Sequence, residues 1–394
     1  MRVLIAGVDG YLGWPLALHL AELGHAVGGI DCHLRRKLVS EVGSHSATPI
    51  QEMGERLTQF RKRFGMELSF VADDLRDYSP IQQLIRSFQP DAIVHLAEIP
   101  SAPYSMMDVH RCVFTQMNNI TGTLHLIHAM RDECPNSHLV KLGTMGEYGT
   151  PNVDIPEGFF EIEYRGRKDR LPFPRQAGSW YHQSKVHDSN NIMMACKLWK
   201  LRATDVMQGV VYGTRIEAMG SNETFLTRFD FDQCFGTAIN RFCSQAVIGQ
   251  PLTPFGAGGQ KRGFLPLKDS IQCLTLAIEH PPKAGEYRVF NQFEEVYTLS
   301  ELAGNVKRAA EAMGLAVEIR NIENPRVEAE EHYYKPDRRH LLDLGYRPSR
   351  DMASELKIIL NDLVRYKMRI LERADVLLPD IRWDGTRRPC AYKT

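Results

Sequence analysis

Residues 2–23 restrict the fold more than any other stretch. Arg2-Val-Leu-Ile-Ala6 is a short apolar run, fit for a strand buried on both faces. Gly7-x-x-Gly10-x-x-Gly13 follows, and residues 14–23 continue with helical apolar spacing. Three glycines at a strand-to-helix turn let the backbone approach a pyrophosphate, whose charge the helix N-terminus then faces. This predicts a Rossmann-like, doubly wound, mostly parallel α/β sheet that binds a dinucleotide.

The next strand, 25–30, ends in Asp31. An acid there accepts from ribose hydroxyls and repels a 2′-phosphate, so NAD is favoured over NADP. Arg35, Arg36 and Lys37 follow on what reads as a loop, and Arg35 and Arg36 are expected near the cofactor. Residues 34–65 form a polar connection, partly helical, long enough to be a lid or a substrate-side insertion. A third strand over 67–71 leads to Asp73-Asp74-Leu75. Asp74 and Leu75 are placed at the adenine end, and Asp73 is read as a solvent-facing turn acid.

Residues 91–97 and 139–142 read as the fourth and fifth strands, with a long helix over 108–131 between them. His95 sits in an apolar run and reads as a core histidine. Residues 149–177 read as irregular, 179–200 as a helix and 201–207 as a sixth strand. Beyond Tyr212-Gly213 the strand–helix alternation is expected to dissolve into a smaller lobe, with helices over 235–248 and 300–313 and strand and turn over 252–262. The predicted division is a cofactor domain over 1–207 and a substrate lobe over 208–394, some segments of which return to the first domain. Further cofactor contacts are expected from Asp9, Tyr11 and Leu12 in the first turn, and from Leu96, Ala97 and Glu98 after the fourth strand. Asn118, Leu142, Gln208 and Val211 complete that set.

Composition removes other classes. Among 394 residues, Lys+Arg and Asp+Glu are both 48, so no basic excess points to nucleic acid or an anionic membrane. Eight scattered cysteines without Cys-x-x-Cys argue against zinc and against a disulfide scaffold, and fit a reducing cytoplasm. No metal is expected. No apolar run of about 18 residues appears, and the N-terminus meets Asp9 too early for a signal peptide.

The chemistry-bearing stretch is Tyr181-His182-Gln183-Ser184-Lys185, with Thr144 after the fifth strand. Tyr181 and Lys185, four apart, share one helix face. A phenol is a poor base at pH 7, and an ammonium beside it favours the phenolate. The pair is expected to take a proton from a sugar hydroxyl while a nicotinamide takes the hydride.

Fingerprint, acid after the second strand, Asn118-Asn119, Thr144 and Tyr181-x-x-x-Lys185 together resemble the extended short-chain dehydrogenase/reductase, or NAD-dependent epimerase/dehydratase, family. Several runs narrow the likeness: Gly143-Thr144-Met145-Gly146-Glu147-Tyr148-Gly149, Tyr181 to Asp188, Gln208-Gly-Val-Val-Tyr212-Gly213, Phe235-Gly-Thr237 to Arg241, and Asn324-Pro325-Arg326 to Tyr334. They are similar to the branch that joins UDP-glucose and sulfite into a sulfosugar nucleotide, over nearly the whole chain.

The resemblance implies oxidation at C4 by Thr144, Tyr181 and Lys185 with NAD, elimination of the 6-hydroxyl to a 5,6-ene, sulfite addition at C6, and return of the hydride. Sugar dehydratases carry Thr-Asp-Glu where this chain has Thr144-Met145-Gly146-Glu147. The acid/base of the elimination is therefore Glu147 or His182, with Met145 beside them, and Glu147 has a structural hydrogen bond as its other reading. Ser101, Tyr104, Thr144, Gln208, Thr237 and Tyr333 are expected to contact the substrate. Arg241, Gln260, Arg262 and Arg326 are expected to clamp a diphosphate, the arginines in bidentate fashion.

One departure stands out. The branch carries Gln-Arg before Ser-Ala-Pro-Tyr-Ser, and here Glu98 is followed by Ile99-Pro100. This removes a partner for the sulfite anion and leaves oxidation and elimination intact. The alternatives are a sulfite-independent 5,6-dehydratase of a nucleotide sugar or hexose-bearing nucleoside, a 4-epimerase, and a non-enzymatic NAD sensor, which needs no base. By the same resemblance, the 108–131 and 179–200 helices form a homodimer interface.

Overall fold

The computed structural model describes residues 1–386 and 388–392. In chain order the strands are β1 (Arg2–Ala6), β2 (Ala26–Ile30), β3 (Ser69–Val71), β4 (Ala92–His95), β5 (His138–Thr144), β6 (Phe159–Tyr164), β7 (Arg167–Pro172), β8 (Arg202–Gln208), β9 (Val210–Tyr212), β10 (Lys261–Pro266), β11 (Tyr287–Gln292) and β12 (Glu295–Thr298). Seven of them form one sheet in the order β11-β8-β5-β4-β1-β2-β3, with every pairing parallel. Their β-branched and apolar residues are buried on both faces because helices cover both sides.

The order reverses between β1 and β4, which opens a crevice at their carboxyl ends. Gly7 and Gly13 make the turn that borders it. Gly7 has φ +90° with Leu96 and Ala97 backbone against its missing side chain, and a Cβ on Gly13 would overlap the Gly7 carbonyl.

The alternation does not dissolve after Tyr212. The Leu267–Glu279 helix and β11 continue it, so the large sheet gains a seventh strand from beyond residue 208. Segment 149–177 is not wholly irregular either: β6 and β7 form an antiparallel hairpin with alternating charges on an exposed surface. Over 252–262 only isolated bridges form, and the strand begins at Lys261.

The 34–65 connection is a brace rather than a lid. It holds the Leu34–Glu41 and Met53–Phe64 helices, which places the Arg35-Arg36-Lys37 trio on a helix, not a loop. Fully buried Arg56 lies over the Trp14 ring at 4.7 Å, and Phe60 packs against Trp14. A second core joins the Ala238–Ile248, Leu299–Glu311 and Met352–Arg365 helices beneath the three-stranded sheet β12-β10-β9.

Candidate active site

Two cavities meet at Thr144 and Tyr181. The first follows the β1–β4 crevice, and the second lies between the sheet's carboxyl edge and the C-terminal half of the chain. Both are walled by Pro100, Gln208 and Thr237 at their junction.

Tyr181 is held by its helix. Ser179 caps the Trp180–Trp199 helix by accepting from the His182 amide, and the Tyr181 amide donates to Ser105 Oγ at 3.0 Å. The phenol is hydrogen-bonded to Thr144. Burial, then the Glu147 charge, pushes that phenol above its ordinary range, while Lys141, Arg35 and Thr144 pull the other way.

The expectation that Lys185 lowers the phenol's pKa needs correction. Lys185 Nζ donates to the Leu142 carbonyl at 2.6 Å and forms an ion pair with Glu98. It stands 6.0 Å from the Tyr181 ring centre. Burial lowers its own pKa to about 8, against the pull of Asp188 and Asp205.

Glu147 is not at the reacting end. It is fully buried, lines neither cavity, and sits between two cations: Lys141 Nζ at 3.1 Å and Arg175 Nη1 at 2.5 Å. It also accepts from the Thr144 amide at 3.3 Å, closing a capping box with the Thr144 hydroxyl. Ser189, Asp205 and Tyr287 complete the cluster. Its chemistry is thus to hold Thr144, and the acid/base reading of Glu147 is set aside. His182 does face the substrate cavity, with its ring 4.9 Å from that of Tyr181 and Met145 in the same wall. A Cβ at Gly146 would overlap its Nε2 edge, so this glycine admits the imidazole. Burial, then Arg326 and Arg262, lowers the His182 pKa to about 3.

In the first cavity, Gly7, Gly10, Tyr11, Leu12 and Gly13 line one end. Asp31 accepts from the Asp9 and His33 amides at 2.9 and 2.7 Å, which leaves lone pairs for ribose hydroxyls. Asp74, Leu75, Leu96, Ala97 and Glu98 line it, as do Asn118, Leu142 and Val211. Arg35 does too, stacked 4.2 Å over Phe235 and bonded to Asp230.

Two expected contacts lie elsewhere. The Asp9 carboxylate is turned into a buried cluster with Arg36, Arg56 and His33, and so neither Asp9 nor Arg36 lines the cavity. Asp73, read as solvent-facing, is in the wall. Arg228 and Asp230 also line it and were missed, although Thr227-Arg-Phe-Asp-Phe-Asp232 alternates charge with aromatics, a pattern unlike a free loop.

The second cavity brings together Ser101, Arg241, Gln260, Arg262 and Arg326. Arg241 lies 4.6 Å over Phe255, Arg326 lies 5.1 Å over Trp383, and Arg262 bonds Glu328 at 2.6 Å. Tyr104 does not reach either cavity, because its hydroxyl donates to Glu41. Tyr333 is 41% exposed and bonds Asp154 on the outer surface.

The model of the NAD dependent epimerase/dehydratase family matches residues 3–291. The chain belongs to this family. The glycine turn, Asp31 and the buried Arg228 Nη1, which has no hydrogen-bond partner among the described residues, fit the family's NAD, which is the cofactor. Among relatives, the UDP-sulfoquinovose synthase of Sulfolobus acidocaldarius is 49% identical over 97% of this chain and 98% of its own. The chloroplastic UDP-sulfoquinovose synthase of Spinacia oleracea is 47% identical over 97% of this chain and 79% of its own. The UDP-glucose 4-epimerase of Thermotoga maritima, solved with UDP-glucose, superposes with a TM-score of 0.69 at 18% identity, over 94% of this chain and all of that one. The UDP-glucuronic acid 4-epimerase of Bacillus cereus, solved with UDP-glucuronic acid and NAD, gives 0.69 at 19%, over 93% and 99%. These two epimerases share the chain's fold.

Proposed function

We infer that this family member converts UDP-glucose and sulfite to UDP-sulfoquinovose with no net redox change. The observation that carries the reading is identity of 47–49% to two synthases across 97% of the chain. NAD, when bound, supplies an acceptor for the C4 hydride and gives it back at the end.

Tyr181 takes the 4-hydroxyl proton, directed by Thr144. The ketone at C4 then acidifies C5–H. Loss of that proton with the 6-hydroxyl gives a 5,6-ene, and sulfite adds at C6 as a proton returns to C5. We assign these proton transfers to His182, the imidazole beside Tyr181 in the substrate cavity. Arg241, Arg262 and Arg326 grip the diphosphate and Ser101, Gln208 and Thr237 the sugar.

A second reading rests on Pro100. The residues common to both cavities include no lysine or arginine, so sulfite meets no cation where the cavities join. The enzyme would then stop at the 5,6-ene, on a nucleotide sugar or a hexose-bearing nucleoside. Mass spectrometry of the product from UDP-glucose, with and without sulfite, decides between the two. A sulfite-dependent sulfonate supports the first reading, loss of one water without sulfite uptake supports the second, and no reaction sinks UDP-glucose as substrate. Tyr181→Phe should lower turnover by roughly 10²–10⁴-fold while NAD stays bound, and unchanged turnover would sink the base assignment.

The chain is read as a homodimer. Val109, Val113 and Met117 lie exposed one turn apart on the Val109–Glu133 helix, and Met194 and Leu198 lie exposed on the neighbouring Trp180–Trp199 helix. Among the described residues, no helix is long and apolar enough to cross a membrane. Eight scattered cysteines without a Cys-x-x-Cys support a reducing compartment such as the cytoplasm.

A further inference from the structure

Glu98 has no place in the mechanism above, yet it is the most confined carboxylate at the reacting end. It follows β4 at the point where the sheet order reverses, and its side chain is 1% exposed. Glu98 stands in the wall of the cofactor cavity, its two oxygens are themselves buried, and their close partner is the Lys185 ammonium. One cation faces it closely, Lys185, and the next titratable neighbour is His95 Nε2 at 4.0 Å. Burial keeps His95 neutral, with its pKa lowered to about 3, and its Nε2 is already paired with Thr123. The chain on either side is clamped: Asn119 bonds both the amide and the carbonyl of Ile99. Glu98 is therefore held in place, not free to swing to solvent.

A buried carboxylate needs a counter-charge, and Lys185 gives Glu98 one while itself also facing the charges of Asp188 and Asp205. The same cavity must take the nicotinamide beside Tyr181 and Lys185. The oxidised ring carries a positive charge and the reduced ring carries none. Without Glu98 the cavity wall loses one negative charge next to Lys185, and the site becomes less favourable to the oxidised ring. With Glu98 present, the pair is neutral and the oxidised ring meets no net repulsion.

We propose that Glu98 is a positioning residue that biases the site toward NAD⁺ over NADH, by neutralising Lys185 at the wall of the cofactor cavity. This rests on the NAD reading of that cavity and not on which sugar is the substrate. Such a bias favours return of the hydride at the end of the cycle and disfavours an enzyme resting with reduced cofactor.

The test is calorimetric or fluorescence titration of NAD⁺ and NADH into full-length protein freed of cofactor. In Glu98→Gln the ratio of NADH to NAD⁺ dissociation constants should fall roughly tenfold or more, the effect of one buried unit charge. Glu98→Asp should hold the ratio within about twofold. If Glu98→Gln fails to fold around an unpaired Lys185, Lys185→Met is compared with Lys185→Met/Glu98→Gln, in which both charges are gone. The double variant should again show the lower ratio. An unchanged ratio in either comparison overturns the proposal and leaves the NAD reading standing. Failure of the unmutated protein to bind either form would overturn both.

Discussion

Two groups of charge flank residues 144–146, one buried and one at a cavity wall, and they are built on opposite terms. Beneath the loop, Lys141 and Arg175 face Glu147 and Asp205, two cations for two anions, cross-linked through Ser189 and Tyr287. Beyond it, Arg241, Arg262 and Arg326 share the substrate cavity with Glu328, which pairs with Arg262. Charge that is matched internally holds a loop in place. Charge left in excess at a cavity wall is there for a ligand to match. Sequence order hides the difference, since Glu147 and Arg326 are equally conspicuous as charged residues inside distinctive motifs.

The contrast breaks first, and with the largest effect, at Lys141. Removing one member of a satisfied buried cluster leaves its partners uncompensated, at a cost of about 3–5 kcal/mol. Lys141→Met should lose that much in urea unfolding, and adding Asp205→Asn should restore part of it. Full stability in Lys141→Met would mean the cluster is not what holds the Thr144 loop.

The cofactor half was legible because its parts are local. A glycine turn, a strand-end acid and a helix that carries Tyr181 and Lys185 four apart are each set within a few residues, and the sheet places them together. What failed there failed for one reason. Asp9 lies inside the glycine fingerprint and Arg36 on the helix after the second strand, but buried cations and anions seek each other, and Arg36 and Arg56 hold the Asp9 carboxylate away from the cavity. Glu147 was caught in the same way by Lys141 and Arg175, and Arg175 comes from a segment that read as irregular. The substrate half has no local signature. Arg241, Arg262 and Arg326 come from a helix, a strand and a loop, and only resemblance to the family put them in one site. Tyr333, from the same motif as Arg326, points outward, because side chains in an extended run alternate faces in a way that motif membership does not record.

A smaller effect sharpens the other side of the contrast. Among the described residues Arg326 has no hydrogen-bonded carboxylate of its own, and it rests on Trp383, so Arg326→Ala should leave the unfolding midpoint nearly unchanged. It should raise KM for the sugar nucleotide roughly tenfold to a hundredfold, about 1.5–3 kcal/mol for a charged contact, with kcat little altered. Loss of stability in place of affinity would put Arg326 in the structural class with Lys141.

The smallest effect is a fraction of a proton, and it reads the two groups against each other at His182. Its pKa is lowered to about 3 by burial first, then by Arg326 and Arg262. A bound diphosphate neutralises both arginines and removes the two lesser causes, while burial stays. The imidazole's pKa must then rise on binding, which means that binding takes protons up and strengthens as pH falls through the bound-state value. Titration of the sugar nucleotide in two buffers of different ionisation heat should show fractional proton uptake at about pH 5.5 and almost none at about pH 7.5. The uptake should vanish in His182→Gln and shrink in Arg326→Ala. Uptake that persists in His182→Gln would place the titrating group elsewhere, and proton release would mean that the diphosphate does not sit against these arginines at all.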